Sequence, residues 1–304
     1  MIISASRRTD IPAFYGDWFV NRLKAGFAHV RNPISIHRIS EVRLTRDSVD
    51  CIVFWTKNPL PFFRHLDFIE SLEIPFYFQF TLTPYDSKIE RNLPEKSKLI
   101  QVFKDLSGRI GRKRVIWRYD PILVSREIDE SYHAEKFEFL AAELSPFTEK
   151  CIISFIDLYK KTERNSKNLG LAEIADKSAQ RLASGFSRTA RQSGLKIETC
   201  SEKIDLSELG IGHTSCIDGE LIQRLSGKAL EFRKDKHQRP ECGCAQSRDI
   251  GSYNTCRHGC LYCYASDSDI AVLQRAELHD PDSSILVGQL TEMNLRSPQP
   301  PFHP

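Results

Sequence analysis

The sequence VDCIVFWTKNPLPFFRHLDFIESL, residues 49 to 72, contains one strand-and-helix unit. Its first seven residues form an apolar run rich in β-branched and aromatic side chains, which is typical of a buried β-strand. Thr56, Lys57 and Asn58 end that run, and from Leu60 onward apolar residues recur at helical spacing. The sequence therefore predicts a strand, a polar strand end and a helix in succession.

The same order recurs along the first two hundred residues. Further apolar runs predict strands at 1–6, 74–83, 114–124, 150–159 and 195–201. Helical spacing predicts helices at 13–26, 94–106, 130–145 and 172–194. Strands separated by helices of this size form parallel βαβ units, and six units favour an α/β fold with a partial or full TIM-like (βα) barrel.

Polar residues follow the predicted strands. In a (βα) barrel, functional side chains gather at the carboxyl ends of the strands. Those ends carry Arg7, Arg8, Thr9 and Asp10, then Thr56, Lys57 and Asn58, then Thr83 and Tyr85, then Arg118, Tyr119 and Asp120, and finally Asp157 and Cys200. Asp10 and Asp120 have an alternative role as caps of the following helices. Recurrence at six strand ends predicts a polar site.

Composition and charge set the class of protein. The chain has 304 residues, of which 40% are hydrophobic and 27% charged, as in an ordinary globular protein. A net charge of +3 neither requires nor excludes a nucleic-acid partner. The opening MIISASRRTD is too poor in apolar residues for a secretory signal, and no run reaches the length of a membrane span. We expect a cytoplasmic protein with no membrane partner.

Seven of the nine cysteines lie between Cys200 and Cys263. In a reducing cytoplasm such a concentration is more typical of metal ligands than of disulfides. The other two, Cys51 and Cys151, lie within the apolar runs CIVFW and CIISFI. We predict that these two are small buried hydrophobic residues.

Cys256, Cys260 and Cys263 lie close together in TCRHGCLYCYA, residues 255 to 265. A structural zinc site takes four protein ligands, usually from two short knuckles, so a single triplet fits it poorly. Three thiolates can instead hold three irons of a [4Fe–4S] cluster and leave the fourth iron open to a small ligand. The spacing therefore favours a catalytic cluster over a structural metal.

The longer sequence SYNTCRHGCLYCYA, residues 252 to 265, resembles the N-P-Y-x-x-C-x-H-x-C-x-Y-C-Y-A signature of the radical S-adenosylmethionine (SAM) superfamily, in its spore photoproduct lyase-like branch. Tyr253, His258, Tyr262, Tyr264 and Ala265 all match. The resemblance implies that SAM chelates the open iron and is cleaved reductively to a 5′-deoxyadenosyl radical, which abstracts hydrogen from a substrate. It also implies a cytosolic electron donor such as flavodoxin or ferredoxin.

The resemblance extends to two strand ends. SASRRTDIP, residues 4 to 12, is similar to a strand end with a Thr/Ser-Asp pair, and TKN is similar to a T-K-S sequence followed by an apolar helix. It implies that Thr9 or Asp10, together with Lys57 and Tyr262, contact SAM. A lysine ammonium is suited to pair with the carboxylate of SAM.

Arginines at the strand ends indicate an anionic ligand. Arg7, Arg8 and Arg118 are predicted to bind an anionic group of the substrate or of SAM. Arg7 also occupies the position at which spore photoproduct lyase has its hydrogen-donor cysteine, which argues against thymine-dimer repair. Nucleic acid stays a possible substrate, since basic clusters at 109–114 and 188–191 could contact phosphate, although such clusters are more often solvated helix faces.

The cysteine triplet comes last in this chain, whereas in radical SAM enzymes it follows the first strand. We interpret this order as a circular permutation, in which residues 248–279 supply the first strand and helix of the barrel. The whole arrangement resembles an uncharacterised prokaryotic family, the domain of unknown function numbered 1848. We predict one domain, with a barrel body at 1–199 and a Cys-rich segment at 200–304 packed onto it.

Four cysteines remain outside the triplet, namely Cys200, Cys216, Cys242 and Cys244. Four thiolates suit a second, auxiliary [4Fe–4S] cluster, which is the preferred interpretation, with zinc and unliganded thiols as alternatives. The alternative function is a non-catalytic iron–sulfur or zinc protein that binds nucleic acid or senses redox state. Only the enzyme interpretation gives Lys57 and the Thr9-Asp10 pair a use.

Overall fold

The structure is a computed structural model, and it describes residues 1–35 and 37–290. The tail at 295–304, predicted to lie over the surface or to be disordered, falls outside the described residues. Part of the predicted Cys-rich segment at 200–304 also falls outside them, and its division from a barrel body at 1–199 stays a prediction.

The strands in the described ranges recur along the whole chain. They are β1 (Ile2–Ala5), β2 (Phe27–Arg31), β3 (Ile39–Arg43), β4 (Cys51–Thr56), β5 (Phe76–Thr81), β6 (Val115–Ile122), β7 (Lys150–Phe155), β8 (Lys196–Thr199), β9 (Gly212–His213) and β10 (Ser247–Asp249). All six strands predicted from apolar runs are present, each close to its predicted place. The other four strands, β2, β3, β9 and β10, were not predicted.

The α-helices alternate with these strands. They are α1 (Ile11–Phe14), α2 (Gly16–Ala25), α3 (Leu66–Ser71), α4 (Lys96–Ile110), α5 (Glu130–Leu144), α6 (Lys160–Asn165), α7 (Asp176–Gln192), α8 (Gly219–Ser226) and α9 (Asp269–Glu277). The helix predicted from residue 60 begins as a 3-10 helix at Leu60–His65, where Pro61 cannot donate a backbone hydrogen bond. The helix predicted from residue 172 begins instead at Asp176.

The main sheet has eight strands in the order β10-β1-β4-β5-β6-β7-β8-β9, and every neighbouring pair is parallel. The predicted α/β class with a parallel sheet is therefore confirmed, whereas closure into a complete barrel is not shown. β10 pairs with β1, so a strand from late in the chain lies beside the first strand. The circular permutation itself stays a prediction.

The sheet is covered on both faces, which explains why its strands are almost continuously apolar. In β4, Ile52 and Phe54 belong to the large core that the helices cover. Cys51 and Val53, which alternate with them, belong to a second core formed with residues of the segment 216–245. Cys51 is fully buried, as is Cys151, which confirms the prediction for both. The Cys-rich segment thus covers the face of the sheet opposite the helices, which we call the inner face.

β2 and β3 form an antiparallel hairpin outside the main sheet, which the sequence analysis missed. The hairpin is tied to the late part of the chain, where the His29 amide donates to the Ser284 carbonyl at 2.8 Å. No helix in the described part of the chain combines the length and the apolar character needed to cross a membrane.

Candidate functional site

The cysteine loop, residues 255–265, is held by the segment that follows β5. The Leu261 amide donates to the Ile89 carbonyl and the Asn92 amide donates to the His258 carbonyl, both at 3.0 Å. These backbone hydrogen bonds run in both directions between the loop and the segment. The loop therefore has a fixed place above the carboxyl ends of the strands.

Gly259 allows the cysteine loop to turn inside the triplet. Its φ is +66°, a left-handed conformation that costs other residues about 1–3 kcal/mol. A Cβ at this position would also lie 2.9 Å from the Asn92 side-chain nitrogen. The Asn92 side chain in turn donates to the Arg257 carbonyl at 2.8 Å. The glycine is thus required by conformation and by space.

The three thiols of the triplet lie close enough to interact electrostatically with one another. Burial raises the pKa of Cys256 well above its ordinary value, and the neighbouring Cys263 and Asp10 raise it further. Burial also raises the pKa of Cys260 to about 12. Among residues 1–35 and 37–290, no three His, Cys, Asp or Glu side chains form a ready-made metal-binding group. The three cysteines of the triplet are neighbours on one loop.

Asp10 connects three parts of the site. One carboxylate oxygen accepts from the Ala13 amide at 2.9 Å and caps α1, as the alternative role predicted. The other accepts from the Lys57 amide and from His258 Nε2, each at 2.7 Å, and from Thr56 Oγ1 at 3.0 Å. Asp10 thus fixes the cysteine loop to the ends of β1 and β4, and both oxygens are engaged within the protein.

Thr9, the other member of the predicted pair, has a different environment. Its side chain is buried, and Oγ1 has no hydrogen-bond partner among the described residues. Gly251 packs closely against Ser6 and Thr9. Only a glycine fits there, because a Cβ would lie 2.0 Å from Ser6 Oγ and 3.1 Å from the Thr9 methyl group. A buried donor without an acceptor costs about 1–3 kcal/mol, so the hydroxyl favours an additional ligand.

Glu90 is the central residue of the site, and the sequence analysis missed it. Its carboxylate is completely buried and accepts from Lys57 Nζ at 2.7 Å and Thr83 Oγ1 at 2.9 Å. Lys96 and the Tyr262 hydroxyl also donate to it. Glu90 lies in the connection between β5 and α4, whose length and charge were the only signals in the sequence.

The charges around Glu90 do not cancel. Burial alone would raise the pKa of this carboxyl, but Lys57 and Lys96 outweigh burial and lower it to about 2. Two ammonium groups therefore face one carboxylate beside the cysteine loop. The excess positive charge suits an anionic group of a ligand.

Two of the predicted SAM contacts, Lys57 and Tyr262, lie together at this carboxylate. The Lys57 ammonium also lies 5.5 Å from the centre of the Tyr262 ring. The structure thus brings Lys57 and Tyr262 together at Glu90, and their contact with SAM stays a prediction.

Cys200, Cys216, Cys242 and Cys244 gather at a second place, on the inner face of the sheet. The sulfurs of Cys200 and Cys216 are 2.7 Å apart. Cys244 lies within hydrogen-bonding range of both Cys216 and Cys242. We call these residues the four-cysteine group. They come from the end of β8, from the chain after β9 and from the Glu241–Ala245 region, so folding alone brings them together.

Arg118 lies at this four-cysteine group rather than at the cysteine loop. Its Nη1 donates to Cys216 Sγ at 2.7 Å, and its Nε donates to Asp120 at 3.0 Å. The guanidiniums of Arg118 and Arg7 each lie 5.2 Å from the centre of the Trp55 ring. Asp120 lies within β6 and pairs with Arg118, so its alternative role as a helix cap is wrong.

The two cysteine sites lie close to each other along β4. Trp55 contacts the arginines of the four-cysteine group, and Lys57, two residues later, belongs to the cysteine-loop site. Two residues along an extended chain cover about 7 Å. Asp120 interacts electrostatically with both Lys57 and Arg118, so a polar region joins the sites.

Two of the four basic residues in the cluster at 109–114 are paired with acidic residues. Arg109 forms an ion pair with Asp67 at 2.6 Å, and Arg114 forms one with Glu70 at 2.9 Å. In the cluster at 188–191, Arg191 donates to Ser187 Oγ on the same helix at 2.9 Å. These contacts favour the interpretation of both clusters as helix faces.

Comparison with known proteins identifies a family and no activity. No curated protein matches the chain. A solved structure, described as a putative alpha-L-fucosidase from Bacteroides thetaiotaomicron VPI-5482, is similar at 14% identity over 61% of this chain and 76% of the other, with a TM-score of 0.29. The model of the family "Domain of unknown function (DUF1848)" matches residues 2–265. The chain therefore belongs to the DUF1848 family.

Proposed function

We propose that this protein is a radical SAM enzyme whose [4Fe–4S] cluster is bound by Cys256, Cys260 and Cys263. The observation that carries the proposal is the arrangement of three neighbouring thiols on one loop, directly beside a buried group with excess positive charge. Three thiolates leave one iron for SAM, and the residues around the loop offer the contacts that its amino acid moiety needs.

The donor set fits the cluster in chemistry as well as in number. Cysteine thiolates are the usual ligands of iron–sulfur clusters, and all three lie on a loop held by backbone hydrogen bonds. The proposal gives the buried Thr9 hydroxyl, which has no partner among the described residues, a ligand to bind. When bound, the cluster would supply the electron for reductive cleavage of SAM and thereby the means to abstract hydrogen from a substrate.

In this proposal, residues of the protein bind SAM and position the cysteine loop. Lys57 provides a cation for the SAM carboxylate, and Glu90 with Lys96 fixes its ammonium in place. Asp10 positions the loop through His258, and Glu90 positions Tyr262. Arg118 lies at the four-cysteine group, so in this proposal its contact is to that region and not to the amino acid moiety of SAM.

The proposal extends to partners and compartment. Reductive cleavage of SAM requires an external one-electron donor, such as flavodoxin or ferredoxin in the cytoplasm. The substrate is unidentified, and nucleic acid stays among its possible classes. Pairing of Arg109 and Arg114 with carboxylates gives no support to phosphate contacts at that cluster.

The proposal is tested by anaerobic reconstitution with iron and sulfide, reduction with dithionite, and chromatography of the products formed from added SAM. We expect 5′-deoxyadenosine from the reduced protein and none from a variant with Cys256, Cys260 and Cys263 changed to alanine. Metal-loaded protein that leaves SAM intact would contradict the proposal. That result would favour the alternative, a non-catalytic iron–sulfur or zinc protein.

A further inference from the structure

We propose that Cys200, Cys216, Cys242 and Cys244 form a second, closed metal centre of four thiolates, with Arg7 and Arg118 as its charge partners. The four cysteines lie on segments far apart in sequence and meet on the inner face of the sheet. The inference goes beyond the proposed function and does not depend on it, because none of these residues belongs to the cysteine loop.

The surroundings of Cys216 show that this place is built to a fixed geometry. Its carbonyl accepts from the Tyr77 hydroxyl at 2.8 Å and from Gln79 Nε2 at 2.7 Å, both on the inner face of β5. The Ile217 amide donates to Cys244 Sγ at 3.4 Å. Backbone and sulfur atoms are therefore both held by hydrogen bonds. A group of small buried hydrophobic residues would need none of these contacts.

Two buried arginines, Arg7 and Arg118, lie beside the four-cysteine group. Arg118 Nη1 donates to Cys216 Sγ at 2.7 Å, so a cation lies directly against this sulfur. Arg7 lies near enough to Cys244 and Cys216 to interact electrostatically, and its buried Nη2 has no acceptor among the described residues. Burying two guanidiniums beside four neutral thiols would be costly, whereas negative charge on the sulfurs compensates them.

The charges also fit a metal centre. Four thiolates with a divalent ion, or with a [4Fe–4S] cluster of charge +2, carry a net charge of about −2. Arg7 and Arg118 supply two positive charges, and Asp120 offsets part of the charge of Arg118. Without a metal, the four thiolates would repel one another. The metal therefore accounts for the presence of both the cysteines and the arginines.

The sulfurs must separate to bind a metal. Those of Cys200 and Cys216 are 2.7 Å apart, whereas two sulfurs on one zinc are about 3.8 Å apart for bonds of about 2.3 Å. Rotation about the Cα–Cβ bonds can supply this change of about 1 Å. A [4Fe–4S] cluster holds each thiolate on a different iron and needs a wider separation, so the close sulfurs favour zinc, and metal analysis distinguishes the two. In either case all ligands come from the protein, so the centre offers no position to SAM.

The test uses the full chain with Cys256, Cys260 and Cys263 changed to alanine, so that only the second centre can hold metal. Iron, sulfide and zinc are counted after anaerobic purification. We expect about one zinc, or about four irons with four sulfides, per chain. Adding Cys242→Ala should lower the metal content at least tenfold, whereas adding Cys151→Ala should leave it unchanged. A metal content that Cys242→Ala does not alter would overturn the proposal.

Three further measurements test the same centre. The variant Cys200→His, which retains a metal-binding side chain, should keep zinc when Cys200→Ala loses it, provided circular dichroism shows both to be folded. Arg118→Gln should speed the loss of metal to a chelator at least tenfold. A disulfide between Cys200 and Cys216, found by mass spectrometry of anaerobically purified protein, would overturn the proposal. If SAM cleavage fails in the wild type, these results are unaffected.

Discussion

The cysteine loop and the four-cysteine group contrast in how the chain builds them. The loop contains three thiols within eight residues, so the spacing of the cysteines can be recognised in the sequence. Local backbone turns set the shape of the loop. The four-cysteine group draws on residues from 200 to 244, and only the packing of that segment against the sheet brings the sulfurs together. One site is encoded locally and the other by the tertiary fold.

The two sites also differ in their charged neighbours. Lysines and a buried carboxylate surround the loop, whereas arginines and an indole ring adjoin the four-cysteine group. Arginine presents a planar fork of hydrogen-bond donors, whereas the ammonium of lysine is a compact point charge. In the two proposals above, the loop accordingly takes an exchangeable ligand, SAM, and the four-cysteine group holds a permanent metal.

The largest expected effect separates the two sites by function. Cys260→Ala should lower the formation of 5′-deoxyadenosine at least a hundredfold, because it removes one of three cluster ligands. Cys242→Ala should retain SAM binding within about threefold, measured by equilibrium dialysis. If Cys242→Ala abolishes SAM binding as completely as Cys260→Ala, the two sites are not independent, which would contradict their separate roles.

A second prediction concerns the contribution of Arg118 to the stability of the protein. Arg118→Gln should lower the free energy of unfolding by about 3 kcal/mol, because Asp120 and Cys216 lose a buried cationic partner. Urea denaturation measures this change. Arg188→Gln, at an exposed position of α7, is the matched control and should change stability by less than about 0.5 kcal/mol. Equal effects of the two substitutions would show that the Arg118 pair is not a structural element.

The smallest expected effect concerns the local encoding of the loop. Gly259→Ala should destabilise the protein by about 1–3 kcal/mol, because alanine is strained at a φ of +66°. Gly185→Ala is the control, since a Cβ within α7 would meet nothing within 4 Å, and it should stabilise by up to about 1 kcal/mol. Thermal unfolding of both variants gives the comparison. A neutral Gly259→Ala would contradict the strained turn.

Much of the fold could be predicted because its signal is local. The apolar runs of β1, β4, β5, β6, β7 and β8 marked the sheet, and their polar ends marked the site. β9 and β10 could not be found, since Gly212–His213 and Ser247–Asp249 contain no apolar residue and are strands only because a neighbour offers hydrogen bonds. Pairing with a neighbour is a property of the assembled sheet.

The site divides in the same way. Thr9, Lys57 and Tyr262 follow from strand ends and from a motif, and the structure brings them to the loop. Glu90 and Lys96 could not be predicted, because a charged connection usually faces solvent. Only the fold shows that Glu90 is buried between two ammonium groups. Arg118 was predicted to bind an anionic group of the substrate or of SAM. In the structure its guanidinium instead donates to Cys216 Sγ in the four-cysteine group.

The pairing of β1 with β10 also bears on the order of events during synthesis. Ile2 and Ser247 are partners 245 residues apart, so the first strand leaves the ribosome long before its neighbour exists. Contacts this distant close slowly, and until then β1 presents an open edge. The cysteine loop follows β10 within a few residues. The cysteine loop is therefore synthesised only after every strand of the main sheet.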